Sequence, residues 1–148
     1  MKKKIMPPTF FLILLLLSIG FYFLFPIFKF VFSPYNYLGI VLIVFGIIIN
    51  IWTDTIFKKK QTTVKPHEIP NFFIVSGPFK LSRHPMYVGM LSILFGTAIF
   101  LGSLSPFFFP LIFIIIIEKL FIPMEEENLE KKFGNKYLDY KKRVRRWI

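Results

Sequence analysis

Arg83-His84-Pro85-Met86-Tyr87-Val88-Gly89 and, about forty positions later, Glu125-Glu126-Glu127 are the groups in this chain that could do chemistry. The two stretches supply a guanidinium, an imidazole, a phenol and three carboxylates, in surroundings that are otherwise mostly hydrocarbon. Ionisable groups near membrane depth are costly and by default mark a functional site. Arg83 and His84 beside Tyr87 are the residue types of a carboxylate clamp with an aromatic wall. Gly89, one turn on, permits close backbone approach. Glu125 lies four residues before Leu129 and eight before Phe133, so it shares their apolar stripe and is aimed at the buried side. A carboxylate placed there needs a cation, either Arg83 within the protein or the ammonium of a ligand. Glu126 is a second candidate, whereas Glu127 and Glu130 are expected to be solvated.

Each cluster also has a plainer explanation. Pro85 suits the first position of a helix, where its missing N–H costs nothing, so Arg83 and His84 could simply start one at an interface. Carboxylates are favoured in the first turn of a helix, and Pro123 is followed by three. What decides between these readings is whether the clusters meet, and the elements that carry them answer that.

The chain has 148 residues, of which 55% are hydrophobic and 20% aromatic, with 21 Phe. The apolar residues come in runs long enough to cross a bilayer, which excludes a soluble globular protein. Cysteine is absent, so there is no disulfide framework and no thiolate nucleophile or ligand. His67 and His84 are too few for a zinc cage, and no metal site is expected. Neither a dinucleotide-binding nor a P-loop glycine pattern occurs. The net charge of +11 does not indicate nucleic-acid binding, because the basic residues flank hydrophobic runs instead of lining one soluble face.

The expected fold is a single all-α integral membrane domain, residues 1–148, with four transmembrane helices at about 9–28, 35–57, 85–101 and 106–122. A cytoplasmic loop of residues 58–84, broken by Pro66, Pro70 and Pro78, joins the second span to the third. An amphipathic cytoplasmic tail follows from Pro123 to Ile148. The first run resembles a signal peptide, but it is too long and no small-residue cleavage site follows, so it is read as a retained helix with Pro26 in its last turn. In this arrangement seventeen of the nineteen basic residues fall on one side. The positive-inside rule makes that side cytoplasmic, with both termini there. The third and fourth spans form a hairpin of about seventeen residues per leg, some 25 Å at 1.5 Å per residue. Its two cytoplasmic ends carry Arg83-His84-Pro85 and Pro123 to Glu127, which are thereby brought to one membrane face. Asp54, near the end of the second span, is a cavity wall or a partner for a neighbouring Lys, and Glu118 and Lys119, near the end of the fourth, are helix-packing or snorkelling polar groups.

Ser82-Arg83-His84-Pro85-Met86-Tyr87-Val88-Gly89, then Glu125-Glu126-x-x-Leu129, then Phe133-Gly134-x-x-Tyr137-x-x-Tyr140 resemble the isoprenylcysteine carboxyl methyltransferase and phospholipid methyltransferase superfamily. Thr62-Thr63-Val64-x-Pro66 and Gly77-Pro78-Phe79 resemble its approach to the Arg-His-Pro motif, so the likeness covers residues 61–144. The resemblance implies an S-adenosyl-L-methionine-dependent membrane methyltransferase, with the cofactor between the hairpin and the tail. By that resemblance Arg83 and His84 take the cofactor's carboxylate, Tyr87 and Gly89 shape the pocket, and Glu125 and Glu126 take its ammonium and ribose. Arg83 and Glu125 are then the catalytic pair. The implied acceptor is lipophilic: a prenylated cysteine carboxylate, a similar small acid or a lipid amine, entering from the bilayer. The expected setting is a prokaryotic plasma membrane. In that family the paired tyrosines lead to Val-Pro, whereas here Val144 is followed by Arg145. Two other readings share these features. Membrane sterol and enone reductases use a similar hairpin with NADPH, and a non-enzymatic scaffold would use the basic tail to bind anionic lipid.

Overall fold

Hydrophobic runs bounded by proline and glycine become helices in this chain, and those helices account for nearly all of its regular structure. The computed structural model describes residues 6–63 and 65–148. The lysines at 2–4 that enter the charge count, and Val64 of the upstream motif, lie outside the described residues. Helix α1 spans Pro7–Leu24 and α2 spans Leu38–Lys59, entered through a short 3-10 turn at Tyr35–Tyr37. A second 3-10 turn, Gly77–Lys80, precedes α3, Pro85–Leu101. After a third turn, α4 covers Phe108–Ile116, a π-helical turn covers Ile117–Phe121, α5 covers Ile122–Phe133 and α6 covers Asn135–Arg143.

Among the described residues, three stretches are long and apolar enough to cross a membrane: Pro7–Leu24, Tyr35–Lys59 and Ser105–Phe133. The apolar α3 has 17 residues, at the short end of the spanning range. Large side chains such as Leu16, Phe23, Val41 and Ile51 are exposed on these helices, as expected where the surrounding solvent is lipid. The protein is thus an all-helical, multi-pass membrane protein. Its core is built by α1, α3 and the α4–α5 helix, through Leu14, Leu94, Phe113, Ile117 and Ile122.

Two expectations about proline need correcting. Pro26 is not in the last turn of α1: the helix ends at Leu24, and Phe25, at φ −135° and ψ 70°, has already left helical geometry. A residue before proline is pushed out of the α region by the ring, which accounts for the early stop. Pro123 does not restart the chain either. The fourth span runs on as one helical rod from Phe108 to Phe133. Proline cannot donate to the carbonyl four residues back and its ring crowds that carbonyl, here Lys119. The π turn at Ile117–Phe121 widens the helix where that conflict falls. The rod therefore carries Glu125 and Glu126 on the same continuous helix as the apolar part of the fourth span.

Helices α2 and α3 pack with their backbones nearly touching. A Cβ placed on Gly46 would lie 2.4 Å from the Gly89 carbonyl oxygen, and one on Gly39 would lie 2.2 Å from that of Gly96. Small residues at such crossings let helices approach where apolar burial gives no drive in lipid. Gly46→Val is expected to lower the stability of the detergent-solubilised protein by roughly 1–3 kcal/mol. Gly20, with nothing within 4 Å of its Cβ position, is the control site for the same substitution. Equal thermal midpoints for the two variants would contradict this packing.

Candidate functional site

The hairpin does bring the clusters together. His84 caps the start of α3 and is 6% exposed, with both ring nitrogens facing carboxylates of α5. Its Nδ1 lies 3.0 Å from Glu125 Oε2 and its Nε2 lies 3.4 Å from Glu126 Oε1. The Tyr87 hydroxyl donates to the other Glu125 oxygen, and its ring stacks on the imidazole at 5.6 Å between centroids. Glu125 thus joins the phenol to the imidazole.

Arg83 does not pair with Glu125. Its NH1 lies 3.0 Å from Glu126 Oε1 and 3.4 Å from the Tyr137 hydroxyl oxygen. The π turn explains the exchange, because one extra residue in a turn rotates all that follows by about 100°. Glu126 is accordingly buried as the shared counter-ion of Arg83 and His84, while Glu125 faces a cavity. Arg83 Nε is buried and has no partner among the described residues.

That cavity is lined by Arg83, His84, Met86, Tyr87, Met90, Glu125, Asn128 and Leu129 from the hairpin, Phe57 from α2, and Pro7 and Pro8 from α1. The loop between α2 and α3 supplies the outer wall through Thr63, Pro66, Phe72, Phe73 and Ile74. Asn128 Nδ2 holds this loop by donating to the Pro66 carbonyl at 3.2 Å. Phe73 seats against Phe133, Tyr137 and Tyr140. Tyr140 in turn donates to the Phe79 carbonyl at 2.6 Å. Burial raises the pKa of both tail tyrosines, that of Tyr137 to about 12, so both stay neutral, Tyr140 donating to the Phe79 carbonyl and Tyr137 accepting from Arg83. The wall is mainly apolar; besides the cluster of Arg83, His84 and Glu125, the charged residues lining it are Lys65 and Glu68 of the loop, paired with each other at 2.7 Å.

Gly89 is not among the lining residues; its α-carbon faces Gly46 and Asn50 of α2. Asp54 pairs with Lys58 at 2.6 Å on an exposed helix face, away from the cavity. Glu127 pairs with Lys131 in solvent. The residues that the sequence did not single out are those past Val144. The N–H of Arg83 donates to the Arg145 carbonyl at 3.0 Å, and Ser82 Oγ donates to that of Arg146 at 3.1 Å. The Arg146 guanidinium reaches Glu126 at 3.2 Å and Glu118 at 2.9 Å, and the Trp147 indole donates to Glu118 at 2.6 Å. A carboxylate at Glu118, late in a hydrophobic span, was the signal that a cation had to approach it.

Burial opposes the His84 charge, but hydrogen bonds and attraction from Glu125 and Glu126 outweigh it and raise the imidazole above its ordinary range. A raised folded-state value stabilises the fold fully below the unfolded value of about 6.5 and loses that contribution as pH rises through the raised one. The thermal midpoint is therefore expected to fall on the alkaline side in the wild type. His84→Gln should lack that step; a parallel decline in the two proteins would contradict the assignment.

A sequence model of the family described as phospholipid methyltransferase matches residues 35–136, which includes α2, the whole hairpin and the paired glutamates. A protein of Haemophilus influenzae, named only as uncharacterized, is 41% identical over 63 residues, covering 43% of this chain and 100% of the relative. No solved structure matches the chain. A family match over the hairpin, on an all-helical protein with apolar spans, supports membrane methyltransferase activity. The chain belongs to the phospholipid methyltransferase family.

Proposed function

We propose that the protein transfers a methyl group from S-adenosyl-L-methionine to a lipophilic acceptor, a lipid amine or a carboxylate such as that of a prenylated cysteine, at the cytoplasmic membrane face. The observation that carries this is the cavity with Glu125, His84, Tyr87 and Arg83 clustered together and mainly apolar walls otherwise, apart from Lys65 and Glu68 of the loop, which pair with each other. The donor set fits the cofactor. Its amino-acid end is a zwitterion, and the cluster offers a carboxylate for the ammonium and a buried guanidinium with a spare Nε for the carboxylate. Tyr87, His84 and the aromatic loop side chains provide flat, weakly polar walls. When bound, the sulfonium supplies an already activated methyl group.

The protein's own contribution is orientation and exclusion of water. Glu125 is held by the Tyr87 hydroxyl and His84 Nδ1, so its carboxylate is fixed before any ligand arrives. The loop of residues 65–74, pinned by Asn128 and Phe73, covers the aqueous side. Helix α1 packs on α3 and α4, and α2 packs on α3. The cavity wall includes the start of α1 and the end of α2, which supports entry of the acceptor from the bilayer between them. A carboxylate acceptor needs no base there, whereas an amine must arrive or become deprotonated. The charge asymmetry of the loops supports the cytoplasmic placement of this end, in a prokaryotic plasma membrane.

Incubation with methyl-labelled S-adenosyl-L-methionine and membrane lipid extract is expected to label a lipid fraction. Mild alkali distinguishes the acceptors, because it releases label from a methyl ester as methanol and leaves N-methyl groups intact. Absence of label in lipid and in prenylated peptide alike would overturn the proposal.

A further inference from the structure

Glu126 holds more cations than a single carboxylate needs. Arg83, His84 and Arg146 all lie within 3.4 Å of its oxygens, and Lys141 stands 3.7 Å away. Arg146 differs from the others because it comes from the irregular segment after α6 and is itself shared. One arm of its guanidinium holds Glu126 and another holds Glu118 on the π turn, with the Trp147 indole on the remaining Glu118 oxygen. The same segment is sewn to the start of α3 by the backbone of Arg83 and the hydroxyl of Ser82. Ser82 Oγ also accepts from the His84 N–H at 3.1 Å. The strap therefore touches both ends of the hairpin at its charged cluster, on the side away from the cavity.

We propose that Arg146 is a positioning residue: straddling Glu118 and Glu126, it fixes Glu126 as the internal counter-ion of Arg83 and His84 and leaves Glu125 for the ligand. This inference rests on the reading that Arg83, His84 and Glu125 form the cofactor site. Planar bidentate geometry suits arginine to the task, and a lysine at the same place could serve one carboxylate at a time. Without Arg146, Glu126 keeps its full pull on His84 and Arg83 and draws them from the cavity.

The groups facing His84 are Arg83 and Tyr87 from α3 and the segment before it, and Glu125 and Glu126 from α5. Arg146 and Glu118 act on it through Glu126. Histidine NMR of the protein in lipid nanodiscs, with His67→Gln to assign the second resonance, reads the His84 titration directly and needs no cofactor. In Arg146→Gln the midpoint is expected to move up by about half a pH unit or more, because a neighbouring cation is lost. Glu118→Gln, which leaves Arg146 wholly to Glu126, should move it down. Arg146→Lys should restore the midpoint while S-adenosylhomocysteine affinity remains roughly tenfold weakened, since the fork is gone. A merely structural strap would lower thermal stability and leave the midpoint where it is in both Arg146→Gln and Glu118→Gln; that result overturns the inference. Calorimetry of wild type with S-adenosylhomocysteine stands apart: no binding there defeats the cofactor reading, whatever the histidine titration shows.

Discussion

Glu126→Ala is expected to be the most damaging single change in the protein, lowering stability by roughly 3–5 kcal/mol and removing cofactor binding with it. The side chains of Glu126 and Arg83 are only 7% and 9% exposed, so deleting the carboxylate strands a buried guanidinium and an imidazole between fewer partners. Burying a charge without its counter-ion costs far more than the pair contributes when intact. Arg146 loses one of its two anchors in the same step, and the strap after Val144 loosens. Glu127 is the internal comparison, one residue on, 63% exposed and paired only with Lys131. Its replacement by alanine should leave the thermal midpoint unchanged, because exposed ion pairs are screened. Thermal unfolding of the two variants in one detergent tests the difference, and equal midpoints would mean that Glu126 is not the counter-ion described.

Glu125→Ala should do the reverse, sparing much of the fold and emptying the site of its function. Its side chain is 19% exposed on the cavity, and its loss unties Tyr87 and His84 without stranding a guanidinium. A hydrogen bond to a charged group contributes about 1.5–3 kcal/mol. Loss of the ammonium contact should thus weaken S-adenosylhomocysteine binding by roughly 10- to 100-fold. Tyr87→Phe, which removes one support of the carboxylate and leaves the carboxylate itself, should fall between wild type and Glu125→Ala. The separation of effects between neighbouring glutamates follows from their faces: one looks into the cavity and the other into the protein.

The hairpin and the meeting of its charged ends were legible in the sequence, because run length, charge sidedness and the turn at Gly102 each constrain topology on their own. Gly102 adopts φ +73° at the end of α3, as a glycine closing a helix does. The pairing within the cluster was not legible. Which of Glu125 and Glu126 faces Arg83 depends on helical phase, and the phase is set by a π turn that no apolar periodicity announces. Gly89 read as an approach point for a ligand, but its missing side chain makes room for Gly46 and Asn50 of α2. Sequence alone cannot tell which partner a glycine admits. The strap escaped notice because residues 144–148 have no repeating pattern; Arg146 and Trp147 gain meaning only once Glu118 is placed beside them.

Binding calorimetry of the purified protein with S-adenosylhomocysteine and with NADPH, on wild type and Glu125→Ala, tests the central claim most directly. The charged cluster in the cavity predicts that wild type binds S-adenosylhomocysteine, that Glu125→Ala binds it much more weakly, and that NADPH gives no heat of binding. Binding of NADPH in place of S-adenosylhomocysteine, or equal S-adenosylhomocysteine affinity in the two proteins, would contradict it.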